Sequence, residues 1–230
     1  MTQRSIYAGD APTIIIKTTG SVTVKGNEND RVIAETTGRW GLGIERRSEA
    51  QIARARAAIG EHVLFDLSLK KPDLSEKKAP LDVIEVQLSG NGEVWVPFGS
   101  NLKIYTGKDI DVQGIEGVVD AFSGFGLNLQ AVNRAGHATA GGPMSLDCKS
   151  MQGEAAEFKA GRDLRFYIHD LTSARIRVKD LGGYWEARIG AGEKSVYLKA
   201  GGDVTLVTDQ IVEPLPPNYI LGKIEKPPAA

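Results

Sequence analysis

The chain has 230 residues, 41% hydrophobic and 25% charged, with a formal net charge of −1. That is enough chain for a sizeable core, and too even a balance for a global positive field that gathers nucleic acid. One cysteine, Cys148, excludes an intramolecular disulfide and a multi-cysteine zinc site, while 27 glycines imply a chain full of turns.

The first strands are expected at Ile14-Ile-Ile-Lys-Thr, Val22-Thr-Val-Lys and Val32-Ile-Ala-Glu. These β-branched runs are separated by Gly20 and by Gly26-Asn-Glu-Asn-Asp. Residues 1–38 then start or cap whatever follows. Residues 39–80 break the pattern and read as an insertion. Ser48-Glu-Ala-Gln51 is a capping-box sequence, and Gln51 to Ala58 is rich in alanine and arginine. The expectation is a short helix ended by Gly60, a strand over His62–Leu69 and a charged loop with Pro72 and Pro80. Alternation resumes at Val83-Ile-Glu-Val-Gln-Leu and continues with short glycine turns through residues 81–209. Residues 210–230 hold five prolines and read as an extended tail, within which Tyr219, Ile220 and Leu221 are apolar enough to dock.

The strongest signal is internal repetition. Ile110-Asp-Val112-Gln-Gly-Ile115-Glu-Gly117, Leu146-Asp-Cys148-Lys-Ser-Met151-Gln-Gly153 and Ile176-Arg-Val178-Lys-Asp-Leu181-Gly-Gly183 share the form apolar-x-apolar-x-x-apolar-x-Gly. A Gly-x-Asp lead-in precedes strands at Gly107, Gly161 and Gly201. Apolar-x-apolar puts two side chains on one strand face, and a coil built this way buries that face only when coils stack. The expected fold is therefore all-β: a single-stranded parallel β-helix, or β-solenoid, of roughly 18–20 residues per coil, with a short helical and loop insertion. A β-sandwich is the competing arrangement.

The Gly-x-Asp-Leu-x-Phe lead-in, the apolar-x-apolar-x-x-Leu-x-Gly repeat and the opening Gly20-Ser-Val-Thr-Val-Lys-Gly26 resemble the bacterial "putative adhesin" β-solenoid family. The likeness spans about residues 12–36 and 82–208. It implies a repeat fold without a known catalytic centre and brings no site residues. A more distant architectural likeness is to bactofilins, cytoplasmic β-solenoids that polymerise end to end.

No arrangement of His62, His137 and His169 suggests a dyad, since adjacent His169 and Asp170 point to opposite strand faces. Cys148 stands where Val112 and Val178 stand in other repeats and reads as a core residue. Asp109, Asp163 and Asp203 follow glycines and read as turn residues rather than calcium ligands. Asp147, Lys149 and Arg177 point outward by the repeat register and are the residues an enzyme of this architecture would draw on. Arg39, Arg46, Arg47, Arg54 and Arg56 make the insertion locally basic, a candidate contact for a polysaccharide, another anionic polymer or an acidic partner. Tyr219, Ile220 and Leu221 are the candidate assembly contact.

The expectation is a non-catalytic, self-assembling scaffold that forms homo-oligomers or filaments, with no cofactor, no metal and no specific nucleic-acid partner. The alternative is an adhesion module binding carbohydrate or anionic polymer; a carbohydrate-active enzyme ranks below both. No stretch approaches 18 apolar residues, so no membrane span is expected. The opening residues lack a secretory pattern, so a cytoplasmic location is expected, or the cell surface if a leader has been removed.

Overall fold

The computed structural model describes residues 1–9, 11–38, 41–48, 83–151, 155–168, 173–191, 194–208 and 219–221. Among them there is no helix, and all nineteen strands join one mixed sheet. Before the insertion lie β1 (Thr2–Tyr7), β2 (Thr13–Thr18), β3 (Val22–Asn27), β4 (Arg31–Thr36) and β5 (Leu42–Arg47). After it come β6 (Val83–Leu88), β7 (Gly92–Pro97), β8 (Asn101–Thr106), β9 (Ile110–Gln113), β10 (Val118–Ser123), β11 (Leu127–Ala140), β12 (Met144–Met151), β13 (Ala155–Ala160) and β14 (Leu164–Ile168). The last are β15 (Ala174–Asp180), β16 (Gly183–Ile189), β17 (Lys194–Ala200), β18 (Val204–Thr208) and β19 (Tyr219–Leu221). The helix expected at Gln51–Ala58 and the strand at His62–Leu69 lie outside the described residues.

Most strands form two parallel columns. The first runs β6, β2, β8, β10, the end of β11, β13, β17 and β15; the second runs β7, β3, β9, the start of β11, β12, β14 and β18. One strand from each column makes a layer. Leu102 faces Val119 and Ile110 faces Leu127, a step of 17 residues. His137 faces Glu157 and Met144 faces Leu164, a step of 20. The repeat unit is thus slightly shorter in its middle part than the expected 18–20. β11 serves both columns by turning at Ala131, whose φ of 51° lies in the left-handed region.

Chain order and stacking order differ at both ends. Ile14 of β2 pairs with Ile84 on one side and Leu102 on the other, so the first layer lies between two layers laid down later. Of the N-terminal strands, β2 and β3 therefore lie in the two columns. At the far end β17 lies between β13 and β15. Antiparallel strands depart from the expected all-parallel pattern. β4 covers β7, β1 covers β4, β5 covers β6, and β15 turns back as β16. β5 falls inside the stretch read as an insertion, and its Leu42 is buried. Leu181, expected inward by analogy with Ile115, sits on the β15–β16 hairpin and is 77% exposed, whereas Ile115 is buried. The two glycines after Leu181 make a tight turn where the other repeats make a corner.

Alternate residues of both columns face one core, where Phe158 of the first meets Phe166 of the second with ring centroids 5.8 Å apart. At the corner after the first column the backbones of successive layers nearly touch. A Cβ on Gly124 would lie 2.4 Å from the carbonyl oxygen of Gly107. Gly141 meets Gly124, Gly161 meets Gly141 and Gly201 meets Gly161 in the same way, at 2.2, 2.1 and 2.3 Å. Only a residue without a Cβ fits such an approach. Gly107 has nothing within 4 Å of that position. Gly141→Ala should therefore cost roughly 3 kcal/mol by forcing two layers apart, whereas Gly107→Ala should stay within about 0.5 kcal/mol. Urea unfolding of the two variants checks this, and equal midpoints would contradict the stacking account.

Candidate functional site

Of the five arginines singled out in the insertion, Arg39, Arg54 and Arg56 lie outside the described residues. Arg46 and Arg47 sit on β5 and are used within the fold. Arg46 Nη2 donates to the Tyr7 carbonyl at 2.7 Å, and Arg47 reaches Glu45 and Glu85, each at 3.1 Å. Glu85 is only 6% exposed. Its carboxylate also accepts from Lys17 at 2.7 Å and from Gln87 at 2.9 Å. Burial alone would raise its pKa. The hydrogen bonds from Lys17 and Gln87 and the charges of Lys17 and Arg47 outweigh that and hold it below the ordinary glutamate value. This cluster ties β2, β6 and β5 together.

Tyr219, Ile220 and Leu221 form β19, whose backbone pairs with Leu206, Val207 and Thr208 of β18 in the same chain. Cys148 is buried, and burial, reinforced by the Asp147 carboxylate, pushes its thiol far above the usual range, which suits a core residue rather than a nucleophile. His137 is exposed on β11, while His62, His169 and Asp170 lie outside the described residues. Asp147 and Lys149 belong to β12 in the second column, and Arg177 to β15 in the first, so the fold does not gather them.

A shallow groove of about 660 Å³ follows the second column past Asp109, Asp163 and Asp203. Two of these aspartates are occupied by backbone in the adjoining layer. Asp109 Oδ1 accepts from the Gly126 N–H at 2.9 Å, and Asp163 Oδ1 from the Asp203 N–H at 3.1 Å. They hold the turn of the next layer rather than their own.

The outer face of β13, β17, β15 and β16 is different. Its cross-strand rows follow from the pairing register. One row is Lys159, Lys199, Lys179 and Tyr184. The next is Glu157, Tyr197, Arg177 and Glu186, and Arg175 stands opposite Arg188 in the third. Six cations and two carboxylates thus share four adjacent strands. The carboxylates are taken: Glu157 by Lys159 at 3.0 Å, Glu186 by Arg175 at 2.7 Å and more loosely by Arg188 at 3.8 Å. Arg177 donates to the Ser195 hydroxyl at 2.9 Å. Among the described residues no acid pairs with Lys199 or Lys179, both exposed. Strands pair about 4.8 Å apart, so the three lysines occupy backbone positions in a row about 10 Å long. Like charges directly opposite each other destabilise a sheet.

This row was not among the residues singled out in the sequence. Its signal is the tripeptide Lys-Ala-Gly, present at Lys159-Ala160-Gly161 and again at Lys199-Ala200-Gly201. In each the glycine is a corner residue and the lysine precedes it by two.

No family model matches the sequence, and no curated protein matches it. Among solved structures, a "putative cell adhesion protein" from Clostridium sporogenes is similar in fold at 9% identity, with a TM-score of 0.43, over 90% of this chain and 98% of that one. The bactofilin likeness finds no support in these comparisons. No helix among the described residues is long and apolar enough to cross a membrane.

The Glu85 cluster yields a pH prediction. A carboxyl whose pKa is lowered on folding adds stability above its unfolded pKa, near 4.3, and loses it as pH falls through the folded value. Glu85→Gln should therefore cost about 1–3 kcal/mol at neutral pH, and the gap from wild type should narrow on acidification below about pH 4. Urea midpoints measured at both pH values check this; a gap that stays constant would rule the ionised cluster out.

Proposed function

We propose that the chain is a non-catalytic binding module, a parallel β-solenoid that lays an acidic polysaccharide along the outer face of β13, β17, β15 and β16. The row Lys159, Lys199 and Lys179 carries this reading. Two of its three members lack a carboxylate partner among the described residues, so the sheet bears a repulsion that a bound anion would relieve.

A polysaccharide suits the face better than a nucleic acid. Glu157 and Glu186 lie among the cations, where they can accept hydrogen bonds from the hydroxyls that a polysaccharide presents along its length and duplex DNA lacks. The rings of Tyr197 and the exposed Tyr184 offer flat apolar surface beside them. An acidic glycan also fits the surface location better than the cytoplasmic one. The filament reading draws less support. β4, β1 and β5 lie over the N-terminal layers, where a copy stacking end to end would need an open parallel edge. The enzymatic reading draws less again. Glu157 and Glu186 stand three strands apart, about 14 Å, beyond the separations at which paired carboxylates cleave glycosides.

Binding to polygalacturonate tests the proposal, with neutral dextran and duplex DNA as comparisons. Wild type should bind polygalacturonate and weaken as salt rises from about 0.1 M to 1 M, which shortens the screening length from roughly 10 Å to 3 Å. Lys199→Gln should lower affinity about fivefold, the worth of one contact of roughly 1 kcal/mol. It should also raise the urea midpoint slightly, because a repulsion is removed. Unchanged affinity in this variant, or equal binding to DNA, would overturn the reading.

A further inference from the structure

We infer that β16 is the seam of a homodimer in which two copies join antiparallel, residue 186 of each opposite residue 188 of the other. This goes beyond the polysaccharide reading and stands on a different observation, the edge chemistry of β16.

Among the described residues β16 pairs with β15 alone, so its other edge presents unpaired N–H and C=O groups. Two other outer strands, β5 and β1, carry protection that β16 lacks. β5 turns Arg46 towards the core side, opposite the buried Ile84, and an inward charge on an edge strand blocks a newcomer. β1 is exposed on nearly all its residues and offers no buried face to extend. In β16 the inward residues are Trp185, Ala187 and Ile189, with Ala187 and Ile189 buried and Trp185 packed against the core. It contains no proline and no inward charge.

The sequence of β16 selects both the partner and the register. A partner strand must keep apolar residues on the core side, which restricts a second copy to alternate registers. With the two-fold axis at residue 186, Glu186 meets its own copy; with the axis at 188, Arg188 does. Both juxtapose like charges. With the axis at Ala187, Glu186 faces the partner copy's Arg188 twice, Ala187 faces Ala187, and Trp185 faces Ile189. Opposite charges then meet on the outside, and apolar residues continue the core on the inside. An axis at Trp185 sets Glu186 against Tyr184 and pairs no charges, so opposite charges meet across the two-fold in one register alone. The join would also bring the two basic faces edge to edge in one eight-stranded surface.

Sedimentation velocity on wild type, Glu186→Arg and Arg188→Glu tests this. Wild type should dimerise. Each charge reversal alone places like charges across the seam and should raise the dimer dissociation constant at least about tenfold, or 1.4 kcal/mol. Mixing the two variants puts two arginines opposite two glutamates and should restore a heterodimer. A monomeric wild type would overturn the proposal, as would a dimer that survives both reversals or variants that stay apart on mixing. If the reversals do not fold, Ala187→Cys decides. A cysteine opposite its own copy lies within disulfide reach, so mild oxidation should give a covalent dimer, and its absence would overturn the seam. Polygalacturonate binding by wild type, measured above and below the dimer dissociation constant, separates the two proposals, since binding that persists after dilution to the monomer leaves the face intact.

Discussion

The structure depends on how closely successive layers approach at the corner after the first column. Gly107, Gly124, Gly141, Gly161 and Gly201 stack there, and from Gly124 onward each position has a carbonyl oxygen of the layer before it where a side chain would begin. Close approach lets hydrogen bonds run from layer to layer around the corner: the N–H groups of Gly141, Gly161 and Gly201 donate to Ser123, Ala140 and Ala160 at 2.8–3.0 Å. Stacked glycines also pin the register, because a slip by one residue would push a Cβ into the neighbouring backbone. The 17-residue steps from Gly107 to Gly124 and on to Gly141 are the pairing steps of the strands themselves. A three-residue excess in the next layer leaves the corner in place and adds chain elsewhere.

A fixed register makes every side-chain position a row. Inward rows gain by this, since Ile14, Ile84 and Leu102 stack without gaps in a shared core. Outward rows gain or lose according to charge. At one end of the stack Glu85 is enclosed by Lys17 and Arg47, and two layers and the covering strand β5 are drawn together. At the other, the two-residue spacing to the corner glycine repeats Lys159 as Lys199, and the pairing of β15 adds Lys179. The first cluster is internally neutral and reads as structure. The second leaves Lys199 and Lys179 without an acidic partner among the described residues, and the proposed polysaccharide would supply that compensation.

The direction in which side chains point was legible in the sequence, and their neighbours were not. Apolar-x-apolar pairs such as Ile110 and Val112, or Leu164 and Phe166, are buried as the alternation implies. The pattern is the same in every layer, so nothing in it says that Ile84 and Leu102 flank Ile14 from opposite sides. The hairpin at Leu181 was hidden for a related reason. All eight of its residues fit the common pattern, and only Gly182, where the other two repeats have Glu116 and Gln152, distinguishes a reversal from a corner. The basic stretch around Arg46 and Arg47 was legible as charge. Its engagement was not, because Glu85 lies nearly forty residues away. Lysine repeats, by contrast, were present in the sequence as a repeated tripeptide and became meaningful once the glycines fixed where each lysine stands.

The swapped layers also bear on how copies could meet. In a stack laid down in chain order, the first and last layers would each offer a parallel edge, and another stack could continue the ladder. Here the first layer has both edges taken by β6, β7, β8 and β9, and the layers outside it end in antiparallel strands. Antiparallel edges favour a partner related by a two-fold axis over one related by translation along the stack, because two antiparallel neighbours run alike when one is turned end over end. A two-fold join closes on itself and stops at two copies, whereas a translational join has no natural end. At the N-terminal end the covering strands thus close a repeat that is open-ended in principle, while at the other end β19 continues the second column in parallel.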